Sequence, residues 1–85
     1  MRIDKFLKVS RVIKRRSVAN EACDAGRVSI NGRVVKASAA VKPGDVVEVG
    51  FAGGNVKFEI FSVKETVKKD EAASMYRIIE EYGNE

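Results

Sequence analysis

The chain has no histidine, and only one cysteine and one proline among its 85 residues. Without an imidazole there is no histidine base, no Ser-His-Asp triad and no histidine-bearing zinc site. A single Cys23 allows neither an internal disulfide nor a four-thiolate metal centre, a usage suited to a reducing cytosol. No apolar run approaches the roughly 18 residues that span a bilayer. The opening Met1-Arg2-Ile3-Asp4-Lys5-Phe6 is charged from its second residue and lacks the apolar core of a signal peptide. No glycine-rich loop of the phosphate-cradling kind is present either. These absences predict a soluble, cytoplasmic, basic domain with no metal, no cofactor and no membrane partner. Its core is modest, because a chain of this length buries only about 60% of its unfolded surface.

What the chain does have is unevenly placed positive charge. Sixteen Lys and Arg against twelve Asp and Glu leave +4 overall. Residues 1–36 hold ten cations and three anions, a net of +7, whereas residues 37–66 carry −1 and residues 67–85 carry −2. The ten are Arg2, Lys5, Lys8, Arg11, Lys14, Arg15, Arg16, Arg27, Arg33 and Lys36. A basic segment of this kind is the electrostatic footprint expected for a polyanion. The competing readings are a solvated surface, an anionic membrane and an acidic protein.

Periodicity organises the rest. Ile3, Phe6 and Leu7 share an arc at helical spacing, predicting a short helix over 3–9 with Lys5 and Lys8 on its other side. Ser17 is the expected N-cap of a second helix over 18–25, whose alanine-rich face includes Cys23 as a packed residue. Gly26 stands where a left-handed C-cap glycine belongs. The period then changes to alternation. Val28-Ser29-Ile30 and Arg33-Val34-Val35 flank Asn31-Gly32, the strongest two-residue hairpin signal. Lys42-Pro43-Gly44-Asp45 reads as a turn. Val46 to Val49 and Val56 to Ile60 read as strands around Gly53-Gly54-Asn55, with a bulge expected near Phe61 and Val63. Ala72, Met75, Tyr76, Ile78, Ile79 and Tyr82 share one helical arc, predicting a C-terminal helix ended by Gly83. The expected fold class is α+β: two N-terminal helices on a small, mainly antiparallel sheet, spanning 1–66, with residues 67–85 as a helical extension.

Function points to the first two helices. Lys14-Arg15-Arg16 precedes a helix N-terminus, where side-chain and backbone charge both favour phosphate. The second helix carries Asn20, Glu21 and Asp24 on its exposed side, a poor reading head for bases in a major groove. Aromatics for stacking are few, since Phe6 and Phe58 belong to apolar faces and Phe61 alone is expected at the surface. A reader of shape and phosphate in structured RNA fits best. Glu80-Glu81 and Asp70-Glu71 read as solvated surface, so no acid–base chemistry is located and catalysis is not expected.

Arg2-Ile3-Asp4-Lys5-Phe6-Leu7, Ser10-Arg11, Arg16-Ser17-Val18-Ala19 and Gly26-Arg27-Val28-Ser29-Ile30-Asn31-Gly32 together resemble the RNA-binding domain named after small-subunit ribosomal protein S-four. Lys42-Pro43-Gly44-Asp45-Val46-Val47 matches the turn that follows in it. The resemblance covers about residues 1–50 and implies that the two helices and hairpin, the αL motif, grip structured RNA. The length, the Lys14-Arg15-Arg16 run and the Glu71-Ala72-Ala73-Ser74-Met75-Tyr76 stretch are similar to the RqcP-like branch of ribosome-associated quality control, a relative of the bacterial fifteen-kilodalton heat-shock protein. Ile3 stands where leucine is usual. The resemblance implies, as partners, the large ribosomal subunit with its 23S rRNA, peptidyl-tRNA and RqcH, during alanine tailing of stalled chains. It implies Arg2 and Arg16 as rRNA contacts and Lys5, Lys8, Arg11, Lys14 and Arg15 as neighbouring ones; Arg27 and Lys36 of the basic segment are further candidates for RNA, and a monomer is expected when free. A heat-shock-type recycling factor or a general rRNA-binding protein is the alternative.

Overall fold

Helix α1 (Ile3–Val9) forms over the residues the apolar arc marks out, burying Ile3, Phe6 and Leu7. The computed structural model describes residues 1–83. Helix α2 (Arg16–Asp24) begins earlier than expected: Arg15 is its N-cap, and no side chain caps it. Ser17 therefore lies inside the first turn, a correction to its expected capping role. The helix closes on the Ala19 N–H bond to the Arg15 carbonyl (3.1 Å), with Ala19 and Cys23 buried. Its other end is as expected. Gly26, at φ +75°, donates to the Cys23 carbonyl (3.0 Å) and Arg27 donates to that of Ala22 (2.9 Å). That pair of bonds is a Schellman motif.

Strands β1 (Val28–Ile30) and β2 (Arg33–Val34) form the expected hairpin. Asn31 and Gly32 both have positive φ, +51° and +86°, as a type I′ turn requires. Pro43-Gly44 makes a type II turn, with Gly44 at φ +94° and Asp45 donating to the Lys42 carbonyl (3.1 Å). Strands β3 (Val46–Phe51) and β4 (Gly54–Ile60) run longer than predicted, because Gly54 and Asn55 pair with Phe51 and Gly50 and leave Ala52-Gly53 as the loop.

The predicted C-terminal helix is absent. A single 3-10 turn over Ala72–Met75 leads into strand β5 (Tyr76–Gly83), which pairs antiparallel with β4. The physical reason is non-local. The outer edge of β4 offers a row of backbone donors and acceptors, and the β-branched and aromatic Tyr76, Ile78 and Ile79 suit it. One bulge reconciles the two periods. Phe58 faces Ile78 and Lys57 faces Glu80, so Ile79 is the unopposed residue. The bulge expected near Phe61 and Val63 does not form, because β4 ends at Ile60 and those residues pair in no strand; the bulge that does form lies on β5. Opposite charges face each other across the ladder, Lys57 with Glu80 and Glu59 with Arg77, each pair worth a few tenths of a kcal/mol to about 1.

The five antiparallel strands run in the order β2-β1-β3-β4-β5. The core lies between the helices and this sheet. Phe6 and Phe58 stack at 6.2 Å, and Tyr76 tilts onto Phe58 at 5.2 Å. Val28, Val47, Val49, Ile60 and Met75 complete the packing. The loop after β2 ties down the N-terminus: Ile3 and Asp4 donate to the Ala39 and Ala37 carbonyls at 2.7 and 3.3 Å. Residues 61–71 run irregularly, with Val63 and Val67 half-buried against the core, and bring Glu65 to Lys5 of α1.

Candidate nucleic-acid interface

Two cationic clusters form where α1 and α2 meet their neighbours. The first is built on a buried carboxylate. Asp4, in the first turn of α1, is 2% exposed. Arg2 grips it as a fork, its Nε and Nη2 each 3.1 Å from one carboxylate oxygen. Arg16, at the start of α2, reaches the same group from the other side through Nη2 at 3.4 Å. Asn20, one turn on, donates at 3.4 Å, and the Lys5 backbone N–H at 2.8 Å. Burial pushes the Asp4 carboxyl up, but the bonds from Arg2, Arg16, Lys5 and Asn20 outweigh it and hold the group below the usual carboxylate range. Both arginine side chains remain about half exposed, at 50% and 47%. Most of their N–H donors are unused, in a shallow depression shared with Ser17, Asn20 and Glu21. Chemically this is a rigid double-arginine surface for an anion.

The second cluster lines a groove of about 510 Å³ between the α1–α2 connector and the 64–69 segment. Lys8, Arg11 and Lys14 form one wall, and Glu65, Thr66, Val67 and Lys69 the other. Lys5 sits beside it, ion-paired to Glu65, whose carboxyl is held below its ordinary range chiefly by that lysine's hydrogen bond. Arg11 occupies the left-handed region at φ +65°.

The candidate residues of the basic segment therefore fall into two groups. Arg2 and Arg16 meet at Asp4; Lys8, Arg11 and Lys14 meet in the groove; Lys5 is tied between them. Arg15 is exposed at the N-cap of α2. Arg27 is not brought together with these. It lines concavities beyond the C-terminal end of α2, beside Gly50. Lys36 is exposed on the loop that anchors α1. Sequence reasoning missed Lys69, hidden in a segment of net negative charge, and missed that Asp4 organises the arginines. An acid flanked by Arg2 and Lys5 in a first helical turn was the available signal. Arg2, Lys5, Lys8, Arg11, Lys14, Arg16 and Lys69 are seven cations against Asp4, Glu21 and Glu65, a local balance of +4. Among the described residues, no group of three or more His, Cys, Asp or Glu could hold a metal ion, and no helix is long and apolar enough to cross a membrane.

Residues 1–47 match the S4 domain. The chain is 56% identical over 81 residues to a Bacillus subtilis protein named RQC P-site tRNA stabilizing factor, covering 95% of this chain and 94% of that one. A Halalkalibacterium halodurans protein of the same name is 52% identical over 81 residues, covering 95% and 92%. Among solved structures, the trimeric structure of heat shock protein 15 from Vibrio cholerae superimposes with a TM-score of 0.85 at 28% identity, covering 92% of this chain and 80% of that one.

Proposed function

Because this chain belongs to the S4 domain family, we propose that it is an RNA-binding factor of ribosome-associated quality control. The observation that carries the reading is its end-to-end likeness to proteins named for stabilizing P-site tRNA. The geometry supplies a means. Arg2 and Arg16, held by Asp4, meet phosphates of folded 23S rRNA on a large subunit that still carries peptidyl-tRNA, and the groove lysines add attraction. RqcH is the partner during alanine tailing, and the domain acts in the cytoplasm by binding, not catalysis. Recognition is of shape and phosphate, because among the described residues no aromatic side chain lines the groove or the Arg2–Arg16 depression.

If roughly five cations each neutralise a phosphate, log affinity falls with log salt at a slope of about −3.5 to −4.5. Arg16→Ala removes one charge-assisted contact and is expected to weaken binding by about 1–3 kcal/mol. Co-sedimentation with purified large subunits measures this, and unchanged pelleting of the variant would contradict it. The likeness to heat shock protein 15 favours a second reading, a recycling factor for the same blocked subunits. Particles that copurify with the tagged protein separate the two. RqcH and alanine-tailed peptidyl-tRNA on those particles mark quality control, and their absence marks recycling.

A further inference from the structure

The groove beside the connector contains one cation from outside the family-matched segment, Lys69, and one backbone oddity, Arg11. The connector leaves α1 through Arg11, whose N–H bonds to the Lys8 carbonyl (3.1 Å) with φ at +65°. This is the position after a helix C-cap where glycine is favoured, since an L side chain there crowds its own carbonyl. An arginine that bears this strain places its side chain in a groove with Lys8, Lys14 and Lys69. The one carboxylate of the groove, Glu65, is already committed to Lys5. Strain kept at a cationic side chain, four cations and no free acid are what a bound anion would require.

From this we infer that the groove is a second phosphodiester site, with Lys69 and Arg11 as binding residues, and that it takes a different stretch of RNA backbone from the one at Arg2 and Arg16. The inference rests on the RNA-binding reading above. The ligand is phosphate, not base, because Thr66 is the only uncharged polar side chain in the lining. It is RNA and not an acidic protein, because no aromatic anchor of the kind that dominates protein interfaces lines the groove. Lysine ammoniums with free stems suit a backbone that slides, and add affinity without fixing register.

Fluorescence anisotropy with a fluorescein-labelled A-form RNA hairpin, and co-sedimentation with large subunits, across a potassium chloride series, test this. Lys69→Ala and Arg11→Gly should each weaken binding about 2–10-fold and make the salt slope shallower by roughly 0.7–0.9. Arg11→Gly should melt no lower than the parent, because glycine accepts that backbone without strain. Combined with Arg16→Ala, the fold losses should multiply, as for separate sites. If both groove variants bind like the parent while Arg16→Ala does not, the groove is idle and only this inference falls. Loss of a copurifying protein with RNA affinity intact would also overturn it. If neither the parent nor Arg16→Ala binds RNA, the RNA-binding reading itself fails and the groove with it.

Discussion

Replacing Asp4 with asparagine is expected to cost about 2 kcal/mol of folding stability, and the figure can be worked from the contacts. One carboxylate oxygen accepts from the Lys5 N–H, Arg2 Nε and Arg16 Nη2; the other accepts from Arg2 Nη2 and Asn20 Nδ2. An amide can keep its oxygen on the first set, but its NH2 then faces two donors. Asn20 can turn its own amide to accept, whereas Arg2 cannot. The loss is therefore Arg2's second bond together with the charge that strengthened the rest. Breaking a fully buried ion pair costs about 3–5 kcal/mol. Here both arginines are about half exposed and regain water, so each pairing is discounted to about 1 kcal/mol. For a domain of this size, 2 kcal/mol lowers the melting midpoint by roughly 8–16 °C. The folded-state pKa of Asp4 is depressed, so its stabilisation is complete above the unfolded-state value and fades as pH falls through the folded one. The gap between parent and variant should therefore be full at neutral pH and close below about pH 4. Circular dichroism melts from pH 7 to pH 2 measure both. A midpoint within about 3 °C of the parent at pH 7, or a gap that persists unchanged in acid, would refute the argument that the ionised carboxylate carries these contacts.

Two other groups give independent tests. Asp45, 4% exposed, accepts from the Lys42 N–H (3.0 Å), Lys42 Nζ (2.8 Å) and Asn31 Nδ2 (3.1 Å), joining the Pro43-Gly44 turn to the Asn31-Gly32 hairpin. Asp45→Ala should cost about 1–3 kcal/mol in urea unfolding, and an unchanged midpoint would show that the two turns hold without it. The Cys23 thiol is pushed up, first by burial and then by the negative charges of Asp4 and Asp24. Iodoacetamide at pH 8 should label it at least about tenfold more slowly in the native protein than in denaturant, and equal rates would contradict its packing.

Local rules read correctly wherever the determining contacts are close in sequence. The Ile3-Phe6-Leu7 arc, the Gly26 terminus, the Asn31-Gly32 hairpin and the Pro43-Gly44 turn each depend on a few neighbouring residues, and each appears as expected. Ala72 and Met75 were placed on an apolar face and are indeed buried, but their element differs. The apolar pattern from 72 to 82 fits a helix arc and also a turn followed by a bulged strand. The β4 edge that decides between them lies some twenty residues away. The same distance effect hid part of the site. Lys69 belongs with Lys8, Arg11 and Lys14 only after residues 61–71 fold back along α1. Ser17 is a good local capping signal, yet α2 starts earlier because Arg16 is drawn into the helix start by Asp4, twelve residues before it.

The two clusters differ in what they contribute to an RNA complex. Ordering a free arginine or lysine side chain costs up to about 2 kcal/mol. Asp4 imposes that order on Arg2 and Arg16 during folding, so in the proposed complex RNA would meet guanidiniums already in place, with part of their charge spent on the carboxylate. Such a site gains geometry and gives up long-range attraction. Among the described residues Lys8, Lys14 and Lys69 have no such anchor, so their attraction for a polyanion reaches over about a Debye length and fades with salt. On the proposed reading a division of labour is expected: the groove sets the encounter rate and the salt dependence, and the Asp4 cluster sets the orientation and the lifetime of the complex. Asp4→Asn and Lys69→Ala should therefore separate kinetically, the first raising the dissociation rate and the second lowering the association rate.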